Sequence, residues 1–186
     1  MPRELTKQAI VSSFIKLLNE RPLSKIAVKD IVEDCGINRN TFYYHFKDIF
    51  DLVEYIFKIE SENVINKNKE HLTWQDGLIE SAEFALKNKK AIYHVYNSVN
   101  RAQLEGYIDS IADDLMRDFV MAQGADLNVS EADINCISLF YKHAIVGSIM
   151  EWIQKGMKDN AEDTIHRIGK LFDGNIREAL LRACKQ

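Results

Sequence analysis

Between Asn38 and Lys47 the chain gathers side chains suited to nucleic acid: Asn38-Arg39-Asn40-Thr41-Phe42-Tyr43-Tyr44-His45-Phe46-Lys47. Arginine pairs with guanine edges and asparagine with adenine, while Thr, Tyr, His and Lys hold phosphates. On a helical wheel of about 100° per residue, Phe42 and Phe46 share one face and Asn40 and Tyr44 lie opposite. Thr41, Tyr43 and Lys47 flank that outer face, with Arg39 on the first turn at one edge and His45 at the other. The pattern predicts Arg39 and Asn40 on bases, and Thr41, Tyr43, Tyr44, His45 and Lys47 on phosphates. Asn38 and Lys29 complete the expected DNA-binding set. The plain alternative is a surface helix of an ordinary bundle, but an exposed polar-aromatic face beside a glycine turn needs a reason.

Two short helices must position this face. Val28, Ile31, Val32 and Cys35 have the spacing of one apolar helical stripe. Gly36 follows, where a helix ends most cheaply in a left-handed residue. Ile37 can then turn back into the core, and Asn38 can cap the next helix. Helix, glycine turn and second helix form a helix-turn-helix in sequence form.

These residues resemble the TetR family of bacterial transcriptional regulators. Ile31, Gly36, Thr41, Tyr43, His45, Phe46 and Leu52 stand where that family's amino-terminal signature places them, and the resemblance covers about residues 5 to 55. Two positions depart from it. Asn40 replaces a small residue and adds an amide that could read a base. Ala27 replaces a helix-opening threonine, so a hydroxyl contact to cap or phosphate is missing, and Ser24 or Lys29 is left to supply the latter. The segments Ala91 to Ser98 and Phe140 to Met157 look like one branch of the family, found mainly in low-GC Gram-positive bacteria, which includes regulators of dihydroxyacetone metabolism. The resemblance implies a dimer, a palindromic double-stranded operator and a more variable carboxy-terminal part.

Composition sets the outer limits. A chain of 186 residues, 46% hydrophobic, can bury a proper core. With two prolines, Pro2 and Pro22, and few glycines, it reads as all-α. No apolar run approaches the ~20 residues that cross a bilayer, and the start is too polar for a signal peptide. Three cysteines without metal-ligand spacing (Cys35, Cys136, Cys184) are expected reduced and buried, which predicts a cytoplasmic protein away from membranes. Net charge is -4, yet residues 1–47 carry eight Lys/Arg against five acids, giving +3 there and -7 over the remainder. A basic head on an acidic body suits oriented docking on a polyanion.

The expected organisation is a helix-turn-helix DNA-binding domain over 1–47 and a helical effector-binding and dimerisation domain over 48–186. Helix 1 should run from Leu5 to Asn19, with Ala9, Ile10, Phe14, Leu17 and Leu18 inward. Asp48 can cap helix 4, a rod of roughly 30 Å linking head to body, with the polar run Asn63 to His71 as its solvated end. Thr73 with Asp76 opens helix 5, Ser130 opens helix 8 and Gly156 stops it. One last helix is expected from Asp163 to Ala183. Helix 8 is apolar on two sides, which requires burial on two sides. A dimer seam of Ile137, Tyr141, Ala144, Ile145, Ser148, Trp152, Ile165, Phe172 and Ile176 answers that, and an interior helix of a monomer is the alternative. Phe84, Tyr96, Asn100, Tyr107, Phe140 and His143 could line a small-molecule pocket, although core packing explains them equally.

No phosphate loop, carboxylate pair or Ser/His/Asp set is legible, so no enzyme, cofactor or metal is expected. Glu162 and His166 alone make a poor metal site. The leading expectation is a homodimeric DNA-binding repressor released by a small-molecule effector. One alternative is a DNA-binding co-regulator acting through a protein partner. The other is a helical enzyme or adaptor that binds no DNA.

Overall fold

Helical periodicity with almost no breakers leaves little to interrupt i to i−4 hydrogen bonding, and the computed structural model, which describes residues 2–68, 73–172 and 174–184, contains helices and no strand among them. They are α1 (Pro2–Glu20), α2 (Val28–Asp34), α3 (Arg39–His45), α4 (Ile49–Asn68), α5 (Trp74–Lys87), α6 (Lys89–Tyr96), α7 (Arg101–Gln123), α8 (Glu131–Gln154), α9 (Ala161–Phe172) and α10 (Asn175–Ala183). A 3-10 turn, Leu23–Lys25, follows Pro22. No helix among the described residues is long and apolar enough to cross a membrane. Part of the polar run expected to end α4 lies outside the described residues.

Two compact units are present: Met1–Glu60 with Ala85–Glu105, and Ser61–Phe84 with Gly106–Gln186. In the first, Ile10, Phe14, Ile31, Phe42 and Leu52 are fully buried and join α1, α2, α3 and α4 in one core. Ala9, expected inward, is exposed, and Ser13 takes the buried place instead. Burial is tolerable for that hydroxyl because it donates to the Ile31 carbonyl at 3.2 Å, tying α1 to α2. The end of α1 holds α6: Asn19 Oδ1 accepts from the Ala91 N–H, and His94 Nδ1 lies 2.7 Å from the Leu18 carbonyl.

The second unit is centred on α7, α8 and α10, with Met116, Val120, Ile145, Ile176 and Leu180 at its heart. Phe172 stacks on Trp74 at 5.5 Å and meets Tyr141 edge-on at 4.6 Å. The Lys142 ammonium is enclosed but reaches both Asp109 and Asp113 on α7, at 3.1 and 3.2 Å. Ser130 caps α8 by accepting from the Asp133 N–H. Gly156, at φ 77°, ends α8 as expected: its N–H bonds to Ile153 and that of Met157 to Trp152, the paired closure of a left-handed stop.

Three expectations are corrected here. The last helix is two, since Gly174 at φ 74° sits between α9 and α10 and reverses the chain's local sense. Cys136 and Cys184 are exposed, and only Cys35 is half-covered, because Cys136 lies on the outward side of α8 and Cys184 just past α10. Ile145, Ile165, Phe172 and Ile176, expected at the dimer seam, are buried in their own chain's core, and a covered side chain has no surface left for a second copy. Ile137, Tyr141 and Trp152 are partly buried against the same core. The open side of α8 is the other stripe, with Leu139 48% and Phe140 69% exposed and His143, Ala144 and Gly147 beside them.

Candidate nucleic-acid interface

The turn that aims α3 is built from three residues. Cys35 closes α2 by donating its N–H to Ile31, and Gly36 adopts φ 69°. The Ile37 N–H then returns to the Val32 carbonyl at 3.0 Å. This left-handed stop turns the chain sharply enough for a new helix to begin three residues later, at Arg39. Asn38 caps that helix: its Oδ1 accepts from the Thr41 N–H at 2.8 Å and from the Thr41 hydroxyl at 3.1 Å. At the start of α2, Ala27 offers no side-chain acceptor, and its own N–H donates to Asp30 at 2.8 Å. Half of a capping arrangement therefore survives the missing hydroxyl.

Phe42 and Phe46 anchor α3 inward, both buried with rings 5.9 Å apart, and Phe46 meets Tyr55 of α4 at 5.2 Å. The opposite side is open. Arg39, Asn40 and Lys47 are exposed, Tyr43 and Tyr44 are 56% and 66% exposed, and Thr41 and His45 are half-buried at the edges. Two large aromatic rings left exposed beside a guanidinium and an amide form a surface suited to recognition. Lys47 is held at the corner by its own N–H, which donates to Asp51 at 2.8 Å. Asp48 caps α4 through the Asp51 N–H, as expected.

Ion pairing sharpens the charge of this face. Asp34 bonds Lys16 at 2.6 Å, Asp30 lies 3.3 Å from Arg21, and Glu33 lies 3.7 Å from Lys29. The Lys16 contact holds the Asp34 carboxyl below its ordinary range and raises the Lys16 ammonium. The acids of α2 are thus neutralised by their own neighbours, while Arg39 and Lys47 have no acidic partner among the described residues. Lys29 is the expected contact whose charge is already engaged. Sequence reading missed the Lys16–Asp34 and Arg21–Asp30 pairs because Lys16 and Arg21 reach α2 from α1 and its end, a proximity that only the fold creates.

The six residues expected around an effector divide between the two units. Tyr96 and Asn100 belong to the first unit, Phe84, Tyr107, Phe140 and His143 to the second, and the last two are exposed. Of the six, Asn100 alone lines either of two cavities, of about 570 and 1020 Å³, described in the units.

Residues 10–56 match the sequence pattern of bacterial regulatory proteins, tetR family, and residues 72–174 match that of a transcriptional regulator C-terminal region. The chain belongs to the tetR family. Its members are transcriptional regulators, not enzymes; they bind operator DNA and act as dimers. The chain is 31% identical over 75 residues to the HTH-type dhaKLM operon transcriptional activator DhaS of Lactococcus lactis, a match spanning 40% of each protein. Its fold superposes on the solved structure of dihydroxyacetone kinase operon activator DhaS with TM-score 0.78 and 22% identity, over 92% of this chain and 96% of that one. NalD, described as the secondary repressor of the MexAB-OprM multidrug efflux pump in Pseudomonas aeruginosa, gives TM-score 0.63 and 13% identity over 94% of this chain and 97% of its own.

Proposed function

We propose that α3 of this tetR-family regulator lies in the major groove, with Arg39 and Asn40 reading bases and Tyr43, Tyr44, His45 and Lys47 holding phosphates. The observation that carries this is the open face of α3, anchored behind by two buried phenylalanines and fronted by cations without acidic partners. Two such heads in a dimer would read a palindrome. The regulatory reading is repression, relieved when a small molecule favours a state that fits the operator poorly. Selection of bound duplexes from random DNA, followed by anisotropy titration of Arg39→Ala, tests the assignment. The substitution should cost about 1–3 kcal/mol and relax preference at one base step. Unchanged affinity and preference would remove Arg39 from base recognition.

The relative named as an activator favours a second reading, in which the bound dimer works through a protein partner. Activation needs a productive contact with the transcription machinery, whereas repression needs only occupancy. Operator occupancy measured with metabolite extract, then with purified polymerase, separates the two.

A further inference from the structure

Beside the helix-turn-helix, and wholly within the first unit, lies a cavity of about 570 Å³. Leu23 and Ile26 form one wall, the first turn of α4 (Ile49, Phe50) a second, and the α6–α7 connection the third. Its size falls within the usual range for small-molecule sites, as does its mix of apolar walls with a few polar groups.

Three observations define what would fit. First, Asn100 is only 2% exposed, yet its Nδ2 is enclosed without a hydrogen-bond partner. A buried amide left unsatisfied is costly, so something is expected to accept from it. The other polar residues of the connection are engaged locally: Asn97 donates to the Tyr93 carbonyl at 2.8 Å, and Ser98 to that of Val95 at 2.7 Å. Second, His94, also lining the cavity, has Nδ1 2.7 Å from the Leu18 carbonyl. A carbonyl only accepts, so Nδ1 carries a proton and is committed to this bond. Third, the lining contains no Lys, Arg, Asp or Glu. A charged guest would lose hydration with no counter-ion to replace it.

We infer that this cavity binds a small neutral molecule: a compact apolar body bearing a carbonyl or hydroxyl oxygen that accepts from Asn100. Occupancy would bear on DNA binding, because Ile49 and Phe50 open the helix that α3 packs against through Phe46 and Tyr55. This coupling rests on α3 reading DNA as proposed above; binding itself does not. The competing account is a water shared by Asn100 Nδ2 and Gln103 Oε1, the latter also enclosed without a donor.

The test uses the full chain, ¹⁵N-labelled, titrated separately with cyclohexanone, cyclohexylammonium and cyclohexanecarboxylate. Cyclohexanone should shift the Leu23, Phe50 and Asn100 resonances saturably, with a dissociation constant on the order of 1 mM. Both ions should bind at least about tenfold more weakly. Val99→Trp, at the 82% exposed rim, should close the site and remove the shifts. Asn100→Leu should weaken cyclohexanone by about tenfold without lowering the melting temperature, a pair of outcomes that loss of a merely structural amide would not give. Absence of saturable shifts, equal binding of the ions, or shifts that persist in Val99→Trp would overturn the site and leave the water. Saturation with no change in affinity for selected operator DNA would overturn the coupling alone.

Discussion

Asn38 serves both fold and recognition, and the two uses constrain each other. Its Oδ1 takes both the N–H and the hydroxyl proton of Thr41, so Thr41 has no proton to offer a phosphate while that bond holds. The donor facing outward is then the Asn38 Nδ2. Replacement by aspartate keeps a cap acceptor and suits a helix N-terminus, so Asn38→Asp should melt at an unchanged or slightly higher temperature. It also exchanges a donor for a charge that repels phosphate, so operator and random DNA should both bind less tightly, by about 1.5–3 kcal/mol. Equal affinity by anisotropy would return the contact to Thr41. Lys47 differs, being exposed and unpaired to any described acid. Lys47→Ala should weaken every sequence alike and lower the slope of log affinity against log salt by about one. A loss confined to one operator variant would instead make it a base reader.

Elements in this chain begin and end where local chemistry dictates, which is why most were legible. Asn38, Asp48, Thr73 and Ser130 all cap the helices they precede, and Gly36 and Gly156 both adopt the left-handed stop. Nothing approaches a Cβ built on Gly36 within 4 Å, so the cost of Gly36→Ala is backbone strain and not a clash. It should destabilise by about 1–2 kcal/mol in thermal denaturation, and Gly36→Asn by less. What escaped the sequence depends on long-range partners. Asp173-Gly174-Asn175 has the composition of a turn, but the apolar spacing Ile168, Phe172, Ile176 runs on across it, so periodicity alone merged α9 with α10. Ser13 was not among the residues expected inward, because its burial depends on an acceptor, the Ile31 carbonyl, that only the fold supplies. The connection after α7 is pinned by Arg177, which grips Asp126 with two bonds of 2.8 and 2.7 Å and also donates to the Gln123 carbonyl. That clamp holds the Asp126 carboxyl down at about 2. A carboxyl depressed below its unfolded value of about 4 stabilises the fold fully above that value and loses its effect as pH falls through the folded one. Asp126→Asn should therefore lower the melting temperature at neutral pH, with the gap to the parent closing between about pH 4 and pH 2. A gap of constant size across that range would mean the bond contributes through packing and not through charge.

At the scale of the molecule, the two apolar stripes of α8 have different fates. The stripe through Tyr141 and Ile145 is consumed by the chain's own core, while Cys136, Leu139, Phe140, His143, Ala144 and Gly147 remain outside at helical spacing. Phe140 at 69% exposure is an expensive group to leave in water, and Ala144 and Gly147 have room around them for a closely approaching helix. The family acts as dimers, and this outer stripe is the part of α8 with surface available for a two-fold seam, in which the same residues would meet their own copies. The prediction differs between the stripes. Ala144→Glu or Gly147→Glu should place like charges face to face across the axis, splitting the dimer while leaving helicity and melting of the monomer nearly intact. Ile145→Glu should unfold the second unit, since a buried charge there has no partner. Operator affinity should fall with dimer loss, because half-sites about one helical turn, ~34–36 Å, apart or a multiple of it need two heads held together. Sedimentation and anisotropy on the same samples check both links. A Gly147→Glu protein that still sediments as a dimer would move the seam off this face of α8, and a monomer that still binds the palindrome at full affinity would break the link between pairing of the chains and reading of the DNA.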